Sequence, residues 1–162
     1  MKAKAAKATA VLPRRLAEGD LLLRALSIRD GPHLRRLLAG TPPPPPLWQW
    51  LPLWLRVRRT FTPAYVLVLE GRRIGFVGLY ELRLGHSGKL SMNLGEYRRR
   101  GYGGRAFQLL RRSLAKHGVV RELLAEIQPR NEASLSFLLS VGFEDRGAEG
   151  DRRLLGCLLD EP

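Results

Sequence analysis

The sequence predicts an α/β fold of the α+β kind, a single domain on a mixed, mostly antiparallel sheet with helices on both faces. Three observations carry this. Two apolar runs, residues 65–69 and 74–84, flank the polar Glu70-Gly71-Arg72-Arg73, the pattern of a β-hairpin, so the sheet begins antiparallel. From residue 90 onward, strand-like and helix-like stretches alternate to the end of the chain. The length of 162 residues, with 44% hydrophobic and 27% charged, suits one folded core.

Residues 1–17, rich in Lys, Arg and Ala, read as a disordered basic tail, leaving 18–162 as one domain. The first ten residues hold no apolar run of signal-peptide length and no cleavage pattern. The longest apolar-rich stretch, 47–55, is too short to cross a bilayer and contains Pro52. The expectation is a cytoplasmic protein with no membrane partner.

A first strand falls near residues 21–26, followed by a short helix opened by Asp30 and Pro32 and closed by Gly40. After the prolines 42–46 comes an aromatic segment without a clear period, then the hairpin. Residues 90–94 read as a strand, followed by a long loop to Gly101. The helix beyond puts Ala106, Leu109, Leu110 and Leu114 on one face and turns Arg105, Gln108, Arg111, Arg112 and Lys116 outward, with Gly118 as its stop. Residues 122–128 read as a strand, 131–140 as a helix capped by Asn131 and stopped by Gly142, and the remainder to 159 as one or two closing strands. The single cysteine, Cys157, lies among leucines and reads as a buried strand residue, not a nucleophile.

The net charge of +13 comes mostly from arginines spread along the chain. That distribution argues against direct nucleic-acid binding, although a positive field steers anionic ligands.

Chemistry enters with Arg98-Arg99-Arg100-Gly101-Tyr102-Gly103-Gly104-Arg105, which follows a strand and opens a helix. Glycines let backbone approach a ligand closely, and the unpaired N–H groups of a first helical turn favour an anion such as a pyrophosphate. The same residues satisfy a dinucleotide fingerprint, with Gly101, Gly103 and Ala106 in its small positions and Glu122 as the ribose acid. That fingerprint wants its turn directly after a buried apolar strand, whereas six residues, 95–100, intervene here after a strand holding Ser91 and Asn93. Too little chain remains after Gly101 to complete a doubly wound sheet.

A second signal is Gln128-Pro129-Arg130-Asn131-Glu132-Ala133-Ser134, followed by apolar residues to Gly142-Phe143. The two motifs, in this order and spacing, resemble the acetyl-CoA-binding half of the GNAT acetyltransferases, in particular the branch that acetylates ribosomal-protein N-termini. The resemblance spans roughly residues 20–160. It implies a sheet splayed at the cofactor site and direct transfer of acetyl from acetyl-CoA to a primary amine, with no metal and no covalent intermediate.

By that resemblance Arg98, Gly101 and Gly103 bind the pyrophosphate, with Arg99, Arg100, Tyr102, Gly104 and Arg105 in the same loop. Met92, Asn93 and Leu94 pair with the pantetheine arm, while Asn131 and Ser134 contact the cofactor. Glu126, five residues before Asn131, stands at the general-base position, with Glu81 in reserve. Two departures from the pattern stand out. Leu138 replaces a tyrosine acid, which a thiol leaving group tolerates, and Lys89 stands near where some members carry a glutamate. They motivate a second reading, a catalytically silent CoA-binding or ribosome-associated module; a dinucleotide-binding protein is a remote third.

The acceptor, a protein N-terminus (ribosomal or other), a lysine side chain or a small-molecule amine, is not legible. Five prolines would extend about 15 Å as a stiff polyproline rod, carrying Trp48 and Trp50 to wall the acceptor pocket. Packing on the core, or a contact in a homodimer, is the other reading of that segment.

Overall fold

The computed structural model describes residues 12–39 and 47–159. Eight strands form one sheet: β1 (Arg15–Glu18), β2 (Leu21–Ala25), β3 (Ala64–Leu69), β4 (Arg72–Arg83), β5 (Ser87–Asn93), β6 (Glu122–Ile127), β7 (Glu144–Glu149) and β8 (Arg152–Leu158). Their spatial order is β1-β2-β3-β4-β5-β6-β8-β7. Four helices accompany them: α1 (Gly31–Ala39), α2 (Leu47–Thr60), α3 (Tyr102–Lys116) and α4 (Glu132–Ser140).

Every neighbouring pair is antiparallel except β5 and β6, which the α3 crossover makes parallel. That pair holds register only from Ser87↔Glu122 to Lys89↔Leu124. Both strands continue, β5 to Asn93 and β6 to Ile127, without each other, and the sheet splays. The expected mixed, mostly antiparallel, splayed sheet is observed.

The sheet carries a core on each face. Phe107, Leu110 and Leu114 of α3 and Leu138 of α4 pack on Leu23, Leu67, Leu79, Leu123 and Leu155. On the other face Leu34 of α1 and Trp54 and Val57 of α2 pack on Phe76. Cys157 is buried on β8. The β3–β4 turn is tighter than the expected four residues: Glu70 and Gly71 alone make it, at φ 48° and 79°, as a two-residue turn matched to strand twist requires.

Two expectations are corrected. The basic tail does not extend to residue 17: Leu12 is buried, the Pro13 carbonyl accepts the Tyr65 hydroxyl at 2.8 Å, and residues 15–17 belong to β1. Residues 1–11 lie outside the described residues, as do the prolines 42–46. The aromatic segment, which showed no clear period in the sequence, is a helix whose apolar residues have one. Trp50, Trp54, Val57 and Phe61 recur at spacings of four, three and four, and Trp54 donates its indole N–H to the Ser27 carbonyl at 2.8 Å. Among the described residues no helix is long and apolar enough to cross a membrane.

Asp30 locks α1 to the sheet. Fully buried, its carboxylate accepts from Arg24 of β2 at 2.7 and 3.0 Å, from Arg73 of β4 at 2.8 Å and from the Ser27 N–H at 2.7 Å. Burial pushes its carboxyl up, and these donors outweigh burial to hold it at about 2. Asp30→Ala is expected to cost about 3–5 kcal/mol in urea denaturation, because two guanidinium groups lose their partner. Since the folded pKa lies below the ordinary 3.8, this group's stabilisation is complete above pH ~4 and is lost as pH falls towards 2, by about 2 kcal/mol. Acid titration of the unfolding free energy, compared between the parent and Asp30→Ala, measures that share.

Candidate functional site

Past Lys89 and Leu124 the parted strands open a cleft of about 550 Å³. One wall is β5, with Leu90, Ser91 and Met92; the other is β6, with Ala125 to Gln128. Asn131, Ser134, Phe137 and Leu138 bring α4 to one side, and Phe61 and Tyr80 close the other. Asn131 caps α4, its Oδ1 accepting the Ser134 N–H at 3.1 Å, so the cap and the cleft share a residue.

The glycine motif lies where α3 begins. Gly101 is its N-cap at φ 83°, a conformation that suits glycine. Gly103 and Gly104 do different things. A Cβ on Gly103 would lie 3.1 Å from Leu94 and 3.2 Å from Phe137, so this glycine lets α3 pack against the end of β5 and against α4. A Cβ on Gly104 would meet nothing within 4 Å, leaving the first turn open to a ligand. Arg98, Arg99 and Arg100 are exposed before it, Arg99 at φ 63° and Arg100 over the Tyr97 ring at 5.4 Å. Tyr102 leans on Tyr97, with centroids 6.5 Å apart.

On the face opposite α3, alternation along β6 puts Glu122, Leu124 and Glu126 together while Leu123, Ala125 and Ile127 are buried. Glu126 reaches the cleft and forms an ion pair with Lys89. Lys89 also holds Glu81 at 2.7 Å. Its hydrogen bonds, to Glu126 first and then to Glu81, keep the ammonium well above its ordinary range. Burial, and after it the Glu126 charge, push the Tyr80 phenol up, so it stays protonated at neutral pH.

Several expected site residues stand elsewhere. Trp50 does not line the cleft: its ring covers Gly31, where a Cβ would lie 1.9 Å away, so it joins α2 to α1. The side chain of Trp48 lies outside what is described. Arg105 turns from the cradle to the β1–β2 turn, bonding Asp20 at 2.6 Å and the Glu18 carbonyl at 3.1 Å. Asn93 spends its side chain on the Gly95 N–H at 3.0 Å, and Leu94 packs on the core. Glu81 sits outside the cleft wall, on a bulge. Met92, Glu126, Asn131 and Ser134 do meet in the cleft, joined there by Phe61, Tyr80, Ser91, Gln128 and Arg152, which sequence reading missed. Tyr80 was recoverable, since it shares strand parity with Phe76 and Gly78.

Residues 13–144 match the acetyltransferase (GNAT) domain family. No curated protein sequence matches the chain. Among solved structures it is similar to RimL, the ribosomal L7/L12 alpha-N-protein acetyltransferase in complex with coenzyme A. That likeness has a TM-score of 0.74 at 15% identity, over 91% of this chain and 99% of that one. The ribosomal-protein-S5-alanine acetyltransferase of Vibrio fischeri gives 0.68 at 20% identity, over 90% and 97%. The microcin C7 self immunity acetyltransferase MccE, in complex with acetyl-CoA and AMP, gives 0.72 at 12%, over 87% and 93%. At such identities the likeness shows the fold.

The two glycines predict opposite responses in denaturation. Gly103→Leu is expected to destabilise by about 1–3 kcal/mol through overpacking against Leu94 and Phe137. Gly104→Ala, in open space on a helix, should stabilise by about 0.5–1 kcal/mol.

Proposed function

The chain belongs to the GNAT acetyltransferase family, and from that premise we propose that it moves acetyl from acetyl-CoA onto a primary amine by direct attack in a ternary complex. The observation that carries this is the splay itself, which opens a cleft holding the Glu126 carboxylate, with Phe137 of its wall packed close to Gly103 in the first turn of α3. The residues fit such a donor. The N–H groups at the start of α3 and the exposed Arg98 to Arg100 suit a pyrophosphate. The edge of β5 at Ser91 and Met92, without a strand partner towards β6, offers backbone groups to an extended amide-bearing arm.

When bound, acetyl-CoA supplies a thioester carbonyl and a leaving thiol. Glu126 takes the proton that the acceptor ammonium must lose before its nitrogen can attack. Phe61 and Tyr80 give that side of the cleft an aromatic wall, and Phe137 and the buried Leu138 add apolar surface to the α4 side beside Asn131 and Ser134. A thiol of pKa about 8.5 leaves readily, so the apolar Leu138 costs little. Catalysis then rests on holding amine and thioester together, with backbone donors for the oxyanion. A protein N-terminus is the acceptor that the likeness to the ribosomal-protein enzymes supports, with a small-molecule amine as the alternative. A cytoplasmic location accords with this donor.

Release of free thiol from acetyl-CoA, measured against panels of amines and N-terminal peptides, tests the proposal. CoA binding without acceptor-dependent thiol release for any amine would leave a binding module in place of an enzyme. Gly104→Glu, a carboxylate set in open space at the cradle, should abolish the rise in melting temperature that saturating CoA gives the parent, with the unliganded melting temperature nearly unchanged. Glu126→Gln is expected to slow turnover by about 10²- to 10⁴-fold with CoA affinity intact, and the deficit should shrink at high pH, where more acceptor arrives neutral. Unchanged turnover at neutral pH would remove Glu126 from the mechanism.

A further inference from the structure

We propose that Lys89 is a positioning residue for the transfer: its ammonium pins the Glu126 carboxylate in one orientation at the point where β5 and β6 part. The proposal rests on the reading of Glu126 as the base. Lys89 is the last residue of β5 in register with β6, opposite Leu124. Glu126 is the next residue on that face of β6 and the first beyond the fork. The ion pair therefore crosses the fork where backbone pairing has ended.

The local backbone is bent to build this contact. From Tyr80↔Lys89 to Arg83↔Ser87 the β4–β5 register shifts, so Glu81 and Leu82 together oppose Gly88. Glu81 carries the extra residue at φ 48°, a left-handed conformation unfavourable for a glutamate. In a regular strand Glu81 would face away from Tyr80; the bulge brings its carboxylate to Lys89 at 2.7 Å. A strained bulge that adds a second carboxylate fixes the ammonium from both sides.

The charge around Glu126 explains what the cation does. Glu81 from β4 and Glu122 from β6 put two further carboxylates on this face, and Glu122 is already taken by Arg146 of β7. Tyr80 from β4 presents a protonated phenol, and Arg152 from β8 stands at the cleft mouth. Lys89 is thus the cation in direct contact with Glu126. Without that contact the half-buried carboxylate would be free to swing to water, away from the reacting nitrogen. Held between two carboxylates, Lys89 also stays protonated, so its own nitrogen has no lone pair with which to compete for the thioester.

The test uses the full chain with Lys89→Met, Lys89→Arg and the double variant Lys89→Met with Glu126→Gln; kcat, acceptor KM and CoA Kd are measured for each. In Lys89→Met kcat should fall at least about tenfold with CoA Kd unchanged, and Lys89→Arg should restore it. Added to Glu126→Gln, Lys89→Met should cost little more, because the carboxylate it holds is already gone.

Full kcat in Lys89→Met, a rate loss that Arg does not restore, or the full further loss when Lys89→Met is added to Glu126→Gln would each overturn the proposal. Should Lys89→Met not fold, Lys89→Gln takes its place in the same comparison. A Glu126→Gln enzyme with full turnover would instead overturn the base reading beneath it.

Discussion

Everything functional in this molecule depends on backbone pairing that stops early. β5 and β6 share three register positions and then separate. The cause is visible on the opposite edge of β5, where its end folds onto β4: a Cβ on Gly75 would lie 2.7 Å from the Asn93 carbonyl oxygen and 2.8 Å from Leu94. Glycine at 75 lets Asn93 and Leu94 settle against β4, and Asn93 then closes a turn through the Gly95 N–H. Leu94 in turn fills the space that Gly103 leaves on α3. Two glycines on different elements thus seat the same leucine, draw β5 away from β6 and set the start of α3 beside the gap.

Much of this was legible, because it is local. Apolar alternation located the hairpin, the 3.6-residue period located α3, and the paired motifs pointed to a splayed sheet with a cleft at Glu126 and Asn131. What was not legible depends on partners far along the chain. β1 is four residues with little burial, so its pattern carries no apolar alternation. Arg105 reads as a phosphate ligand until Asp20, 85 residues earlier, claims it. Lys89 reads as a departure from the family pattern until Glu126, 37 residues on, is seen to hold it. The apolar stripe of α2 was present in the sequence, but Pro52 within it and the proline run before it obscured the period.

Part of the large positive charge is taken up in ion pairs. Arg24 and Arg73 serve Asp30, Arg105 and Arg112 hold the β1–β2 turn through Asp20 and Glu18, and Arg146 and Arg153 bind Glu122 and Asp145. Against that background Arg98 to Arg100 stand exposed in front of the open first turn of α3. Three adjacent exposed guanidinium groups favour the approach of polyanions to that turn.

The two cores lie on opposite faces of the sheet, and each owns one side of the cleft. The core beneath α3 and α4 positions the glycine cradle, Asn131 and Leu138. The smaller cluster of Leu34, Trp54, Val57 and Phe76 positions Phe61, which closes the other side with Tyr80. The two sides are nonetheless joined: His33 of α1 lies 3.4 Å from the Gly75 carbonyl and a Cβ on Gly95 would lie 3.0 Å from Leu37, so substitutions in α1 are felt at the end of β5 as well as in the small core.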